Sequence, residues 1–155
     1  MSDGIRQAWQ RYFSPVREKC RRVLGDGDDA SDVAQETFIR FWKQGPPEPP
    51  RVALAWLYRT ATHLSVDRLR HRALHARAVP QPVYGADLEA STASRQLLAR
   101  LARDADAEEL QAAVLSRLDG LTHPEIAEVM DVSERTVRRL LARFDQRAQR
   151  EESPP

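Results

Sequence analysis

A single cysteine, Cys20, excludes an intrachain disulfide and any cysteine-based metal site. Its place on an apolar helical stripe fits a buried thiol. Alternating runs of Val, Ile and Thr are missing, so no strand pattern is on offer. No apolar run reaches membrane length and no signal peptide opens the chain. The expectation is a cytoplasmic protein without membrane insertion. There is also no nucleophile–base pair, no ligand set at metal spacing and no Gly-rich phosphate loop. His63 has no His or Cys partner at such a spacing. The chain therefore reads as no enzyme, with no catalytic residues, no metal and no other cofactor. Lysine is nearly absent, with Lys19 and Lys43 the only two among 24 basic residues. Arginine in excess suits phosphate recognition, although a coding bias would give the same composition. The net charge is only +1, so any nucleic-acid surface must be local.

What the chain does have is helix-forming composition, rich in Ala, Leu, Arg and Glu. The clearest stretch is LTHPEIAEVMDVSERTVRRLLARF, residues 121–144. Thr122 followed three residues later by Glu125 is a capping box at a helix start, with Pro124 in the first turn. Ile126, Ala127 and Met130 repeat at helical spacing. Asp131 stands where the chain must turn, and Asp is among the few residues that visit left-handed backbone. Ser133 is an N-cap for a second helix, whose apolar stripe is Val137, Leu140, Leu141, Phe144 and Ala148. Outside that stripe stand Ser133, Glu134, Arg135, Thr136, Arg138 and Arg139. A helix-turn-helix presents this part of its second helix to the major groove, where arginines bond guanine edges or phosphates. A helical hairpin with merely solvated arginines is the blander reading.

Residues 4–24 read as one amphipathic helix or two, with Pro15 a possible second start. Gly25 and Gly27 offer positive φ, and Asp28 or Asp29 can cap the next helix, 29–44. Ala30, Val33, Ala34, Thr37, Phe38, Phe41 and Trp42 share one face of it. Asp29, Asp32, Gln35 and Glu36 lie on or beside the other. These acids either complement the helix dipole or form a docking face for a basic partner. QGPPEPP, residues 44–50, is a stiff loop. Residues 52–76 read as a long helix that keeps an apolar stripe through Leu54, Leu57, Ala61, Leu64 and Leu69. Basic residues and aromatics decorate the remainder, as a single-stranded nucleic-acid surface requires. Residues 73–92 lose periodicity and look like a linker. Helical pattern resumes near Ser94, pauses at DADAEE and ends at Gly120, a C-cap candidate. The fold expected is all-α: two small helical domains joined by a flexible linker. Their bounds are 1–72, linker 73–93, domain 94–150 and tail 151–155.

Three segments in order resemble the sigma-70 family, specifically its small two-domain extracytoplasmic-function (ECF) sigma factors. GDGDDASDVAQETFIRFW is similar to G-D-x-x-D-A-E-D-L-V-Q-E-T-F-L-R-x-W of the family's region 2. AWLYRTATHLSVDRLRHR resembles A-W-L-Y-R-I-A-R-N-L-A-I-D-R-L-R-R-R. GLTHPEIAEVMDVSERTVRRLLARF resembles region 4, G-L-S-Y-E-E-I-A-E-I-L-G-V-S-x-G-T-V-K-S-R-L-x-R-A. The resemblance implies a protein that binds core RNA polymerase and directs it to promoters, with the chemistry left to the polymerase. Asp29, Asp32, Gln35 and Glu36 become docking candidates for the clamp helices of the largest subunit. The loop Gln44 to Val52, with Trp56, Arg59, His63, Asp67, Arg68 and Arg70, becomes the surface that melts the minus-ten element and captures a flipped base. Ser133, Arg135, Thr136, Arg138 and Arg139 become readers of the duplex minus-thirty-five element. A cognate anti-sigma factor is implied as a further partner. Ser31 stands where the family has Glu, His63 where it has Asn, and Asp131 and Arg135 where it has Gly. The proline-rich loop carries no aromatic residue.

Two other readings fit parts of this pattern. A sigma-like decoy would keep the fold and bind an anti-sigma factor without directing transcription; the altered loop, Ser31 and His63 permit it. A stand-alone helix-turn-helix regulator would bind duplex DNA by itself, but it needs a sensor pocket and a dimerisation helix, and neither stands out.

Overall fold

The computed structural model describes residues 3–47, 52–75 and 89–153, and every regular element among them is helical. Helix α1 (Asp3–Leu24) runs straight through Pro15. The proline lies on an exposed face, where water can take up the backbone hydrogen bond it removes, so no second segment begins there. Gly25, at φ 73°, ends α1 with its amide on the Arg21 carbonyl at 2.8 Å. The N-cap of α2 (Gly27–Gln44) is then Asp26. Its carboxylate accepts from the amides of Asp28 and Asp29 at 2.7 and 3.2 Å. The sequence pointed to Asp28 or Asp29 instead. The left-handed glycine turns the chain early enough for Asp26 to take that role, and these bonds lower its pKa.

Helix α3 spans Ala53–His75 and α4 spans Glu89–Leu101. Most of the expected linker falls at 76–88, outside the described residues. Helix α5 (Ala107–Ala113) continues into a π-helical segment, Val114–Leu118. Helices α6 (His123–Met130) and α7 (Glu134–Glu152) complete the chain. The cap and turn of this last pair follow their sequence signals. The Thr122 amide donates to the Glu125 carboxylate at 3.0 Å, and the Glu125 amide donates to the Thr122 hydroxyl at 3.4 Å. Asp131 turns the chain at φ 56° and ψ 49°, and is the one non-glycine residue with positive φ among those described. Ser133 caps α7 by accepting from the Thr136 amide at 3.1 Å.

Helices α1 to α3 bury Val16, Cys20, Ala34, Phe38, Phe41, Leu57, Ala61 and Val66 among themselves. Trp42 does not join them: it is 58% exposed. Successive helical residues are about 100° apart, so with Phe41 pointing into the core its neighbour turns outward. Leu115, Ile126, Val129 and Val137 form a smaller cluster inside the helix-turn-helix, and Tyr58 of α3 packs against it.

The larger cluster crosses from one half of the chain to the other. Leu97, Leu98 and Leu101 of α4, Leu110 of α5 and Phe144 of α7 are continuous with the buried residues of α1 to α3. At the seam lies Lys19, with no exposed surface. Its Nζ donates to Asp119 Oδ2 at 2.7 Å, and the Asp119 side chain is 1% exposed. Arg22 donates to the other carboxylate oxygen at 2.8 Å. The Tyr58 ring lies 5.3 Å from the Lys19 ammonium. Burial and the nearby Asp119 carboxylate raise the Tyr58 pKa. The two helical halves expected from the sequence thus share one core and one buried ion pair.

A shared core has a calorimetric signature. Leu98 is fully buried, so Leu98→Ala should cost about 2–5 kcal/mol. It should lower a single melting transition; two transitions, with only the second shifted, would show that the halves fold separately. At the turn, left-handed backbone costs a residue with a Cβ roughly 1 kcal/mol or more. Asp131→Gly should therefore raise the denaturation midpoint by up to about 1 kcal/mol equivalent, and a loss of stability would mean that the Asp131 side chain contributes more than its backbone strain costs.

Candidate docking and nucleic-acid interfaces

Three faces carry the residues singled out from the sequence. The first is on α2. Asp32, Gln35 and Glu36 are exposed there. Glu36 accepts from Arg40 at 3.2 Å, an i,i+4 surface pair worth little by itself. Asp29 is placed differently. One carboxylate oxygen accepts from Arg68 at 3.0 Å and the other from Arg72. Arg72 also donates to the Leu24 carbonyl at 2.8 Å, so it ties the end of α1 to the start of α2 and the end of α3. Asp29 is therefore half-buried and charge-compensated, while Asp32 and Glu36 stay open to a partner. Ser31 lies beneath this face and accepts from Arg17 Nε at 2.7 Å.

Two apolar residues share the exposed side of α2. Ile39 is 42% exposed, and Trp42 follows it at i+3. Together with Asp32, Gln35 and Glu36 they make a stripe of mixed acid and apolar surface. The sequence reading missed them because it assigned Trp42 to the core and gave Ile39 no face.

The second face is on α3. Arg59, His63 and Asp67 succeed one another at i+4 on its exposed side. Partial desolvation and the Arg59 guanidinium hold the His63 imidazole below the usual histidine range; the Asp67 and Glu108 carboxylates oppose this without overcoming it. Trp56 is half-buried, with its ring 5.4 Å from Phe41, so one edge packs and the other faces out. Arg70 is half-exposed. Arg68 is engaged by Asp29 and does not extend freely toward a ligand. A shallow groove of about 320 Å³ runs between α2 and α3, lined by Asp32, Glu36, Leu64, Asp67, Arg68 and His71 among others. Residues 48–51 of the proline-rich loop lie outside the described residues. No group of three His, Cys, Asp or Glu among the described residues could hold a metal ion.

The third face is the start of α7. Ser133, Arg135, Arg138 and Arg139 are exposed and Thr136 is half-buried. The Ser133 and Thr136 hydroxyls lie 3.0 Å apart, so the cap also orients the Thr136 side chain. Arg138 sits 3.9 Å from Glu134, close enough to lean toward it and too far for a strong pair. Arg135 and Arg139 have no carboxylate nearby among the ion pairs described. The result is a helix N-terminus with three outward guanidinium groups, opposite the buried stripe of Val137, Leu140 and Phe144.

Comparison with known proteins accounts for two stretches of the chain, one in each half. Residues 8–74 match the family model of sigma-70 region 2, and residues 107–143 match that of sigma-70 region 4. The chain is 31% identical over 130 residues to the ferric citrate uptake sigma factor FecI of Escherichia coli K12, an alignment covering 79% of this chain and 75% of that protein. It is 33% identical over 138 residues to the ECF RNA polymerase sigma factor SigE of Mycolicibacterium smegmatis, covering 83% of this chain and 54% of the relative. A shorter stretch of 62 residues is 39% identical to the ECF RNA polymerase sigma factor SigW of Bacillus subtilis, covering 39% of this chain and 33% of the relative. The chain thus spans about a third and about half of the lengths of these last two proteins. With region 2 carried by α1 to α3, region 4 by α5 to α7, and a relative matched over three quarters of its length, this chain belongs to the sigma-70 family as one of its extracytoplasmic-function members.

Proposed function

We propose that this chain is an alternative sigma factor that binds core RNA polymerase and directs it to promoters. The observation that carries the reading is the pairing of two unlike faces on one chain. An acidic and partly apolar stripe on α2 is available to a protein partner, and an arginine face on α7 is available to duplex DNA. Asp32, Gln35 and Glu36 form the docking face for the clamp helices of the largest subunit, with Ile39 and Trp42 extending it. Asp29 contributes at one remove, by fixing α2 against α3 through Arg68 and Arg72.

Minus-ten recognition falls to the exposed side of α3: Arg59, His63 and Asp67, the outward edge of Trp56, and Arg70. A neutral His63 can accept a hydrogen bond from an exocyclic amine, which a protonated imidazole cannot do. Arg68 supports this surface from behind. Minus-thirty-five recognition falls to Arg135, Arg138 and Arg139, with Ser133 and Thr136 placed to bond phosphate or base edges. The chain supplies no chemistry of its own and acts by positioning. An anti-sigma factor is the family's usual antagonist, and the two exposed faces are what it would have to cover.

Charge reversal separates this reading from its rivals. Asp32→Arg with Glu36→Arg should abolish binding to core polymerase and all run-off transcripts that depend on the chain, with the fold intact by circular dichroism. Binding to core with no transcript from any promoter fragment would favour the decoy. Failure of the unmodified chain to bind core would defeat the proposal. On the DNA side, Arg135→Ala and Arg139→Ala should each weaken binding to a minus-thirty-five duplex by about 1–3 kcal/mol if they contact bases. A residue that contacts only phosphate should instead lower the salt dependence by about one unit of slope without changing sequence preference.

A further inference from the structure

The exposed row on α3 does not stop at Asp67. His71 and His75 continue it, so Arg59, His63, Asp67, His71 and His75 succeed one another at i+4 to the last residue of the helix. Both imidazoles at the end of the row are exposed. Their ring centroids lie 4.1 Å apart, with the planes inclined at 50°. Neither ring has a hydrogen-bond or ion-pair partner among the described residues. Two bases are thus held side by side with nothing polar to occupy them, although their protonated forms would repel.

Histidines one turn apart on one face of a helix can ligate a single ion. A tetrahedral ion with metal–nitrogen bonds of about 2.0–2.1 Å sets two such nitrogens about 3.3 Å apart. Rings with centroids at 4.1 Å reach that spacing by turning about their own side-chain bonds, and the helix need not move. Imidazole suits zinc, nickel and copper, whereas magnesium and calcium take oxygen. The chain supplies two ligands here and no more. Asp67 and His75 are eight residues apart, about 12 Å along the axis, so one ion cannot reach both. Asp67 stands one turn before His71, where a carboxylate can accept the N–H of the non-ligating nitrogen and fix the ring. The sequence reading required a third ligand at metal spacing and gave the pair no role. With two protein nitrogens, the remaining coordination positions stay open to water or to an incoming oxygen.

We propose that His71 and His75 chelate one divalent transition-metal ion, and that a phosphate oxygen of the DNA strand lying along α3 fills one of its open positions. The second clause rests on the function proposed above. The first does not. Of Arg68, Arg70 and Arg72, only Arg70 is free of Asp29. The end of α3 is therefore short of positive charge on the face assigned to the strand. A divalent ion at the end of the row supplies that charge, and supplies it at a point that a phosphate can ligate directly.

Calorimetric titration of the full chain with Zn²⁺ and with Ni²⁺, in buffer free of chelators, tests the pair. One ion should bind per chain. His71→Ala and His75→Ala should each weaken binding by roughly a hundredfold, since losing one of two ligands costs at least as much as losing a hydrogen-bond partner behind a ligand. Both side chains are exposed, so both variants should keep the wild-type circular dichroism spectrum. His123→Ala, which removes the exposed histidine at the start of α6, should leave binding unchanged. Bound Cu²⁺ should show two imidazole nitrogens by electron paramagnetic resonance in wild type and one in each single variant at the pair. Wild-type binding no tighter than that of either variant, or a copper spectrum with one nitrogen, would overturn the chelate. For the second clause, the anisotropy of a labelled minus-ten single strand should report roughly tenfold tighter binding with Zn²⁺ present, the scale of one hydrogen bond to a charged group. The double variant His71→Ala with His75→Ala should show no such gain. An unchanged strand affinity in wild type with the ion bound would overturn the phosphate contact. A strand that wild type binds under neither condition would defeat the reading of α3 as a DNA face and leave the chelate standing.

Discussion

A lysine with no exposed surface must have a partner, and the partner of Lys19 belongs to the other half of the chain. That constraint explains much of the architecture. Asp119 reaches α1 from the end of the π-helical segment that continues α5, one residue before Gly120 turns the chain. Tyr58 has to lie beside the ammonium group, so α3 faces both α1 and the helix-turn-helix. The apolar residues of α4 then fill the space that remains, and the halves become one body. An ion pair at such a place specifies register more than it adds stability, because its desolvation offsets most of its attraction.

Charge is segregated finely in a chain whose total is almost neutral. The start of α2 is acidic and the start of α7 is basic, and each sits at a helix N-terminus. The acids are favoured there by the helix dipole, whereas Arg135 in the first turn of α7 stands against it. Arg135 and Arg139 have no ion-pair partner on their own helix among the pairs described, and Arg138 has only the long contact with Glu134 at 3.9 Å. By contrast Arg68 and Arg72 are absorbed by Asp29, and Arg147 is held by the buried Glu109 at 2.7 Å. Arginine in this chain thus divides into structural pairs and free surface, and composition alone cannot separate the two.

Local signals in the sequence were legible, and long-range ones were not. The capping box of Thr122 and Glu125, the turn at Asp131, the cap at Ser133 and the stripe through Val137 and Phe144 depend only on neighbours within a turn or two. They stand in the structure as the spacing predicts. The cap of α2 shifted to Asp26 because Gly25 turned the chain sooner than the pattern required. Trp42 went to the surface because adjacent aromatics cannot both point inward. The pairing of Asp29 with Arg68 and Arg72 spans about forty residues and left no local mark. The Lys19–Asp119 pair spans a hundred. One sign of it was visible: Lys19 interrupts a stripe formed by Val16, Cys20 and Val23, and a charge set among apolar positions asks for a distant partner.

Cys20 neighbours that lysine in sequence and shares its burial. Burial raises the thiol pKa, although the Ser65 hydroxyl and the Lys19 and Arg22 charges act in the opposite direction. A thiol in that state is inert toward oxidants and alkylating reagents, because the thiolate is the reacting form and little of it is present. It reacts when the structure around it opens and water reaches the sulfur. The chain therefore carries its own clock: with one cysteine at the seam, the rate of chemical labelling counts opening events in the unmodified protein, and whatever binds across the seam will slow or hasten that count.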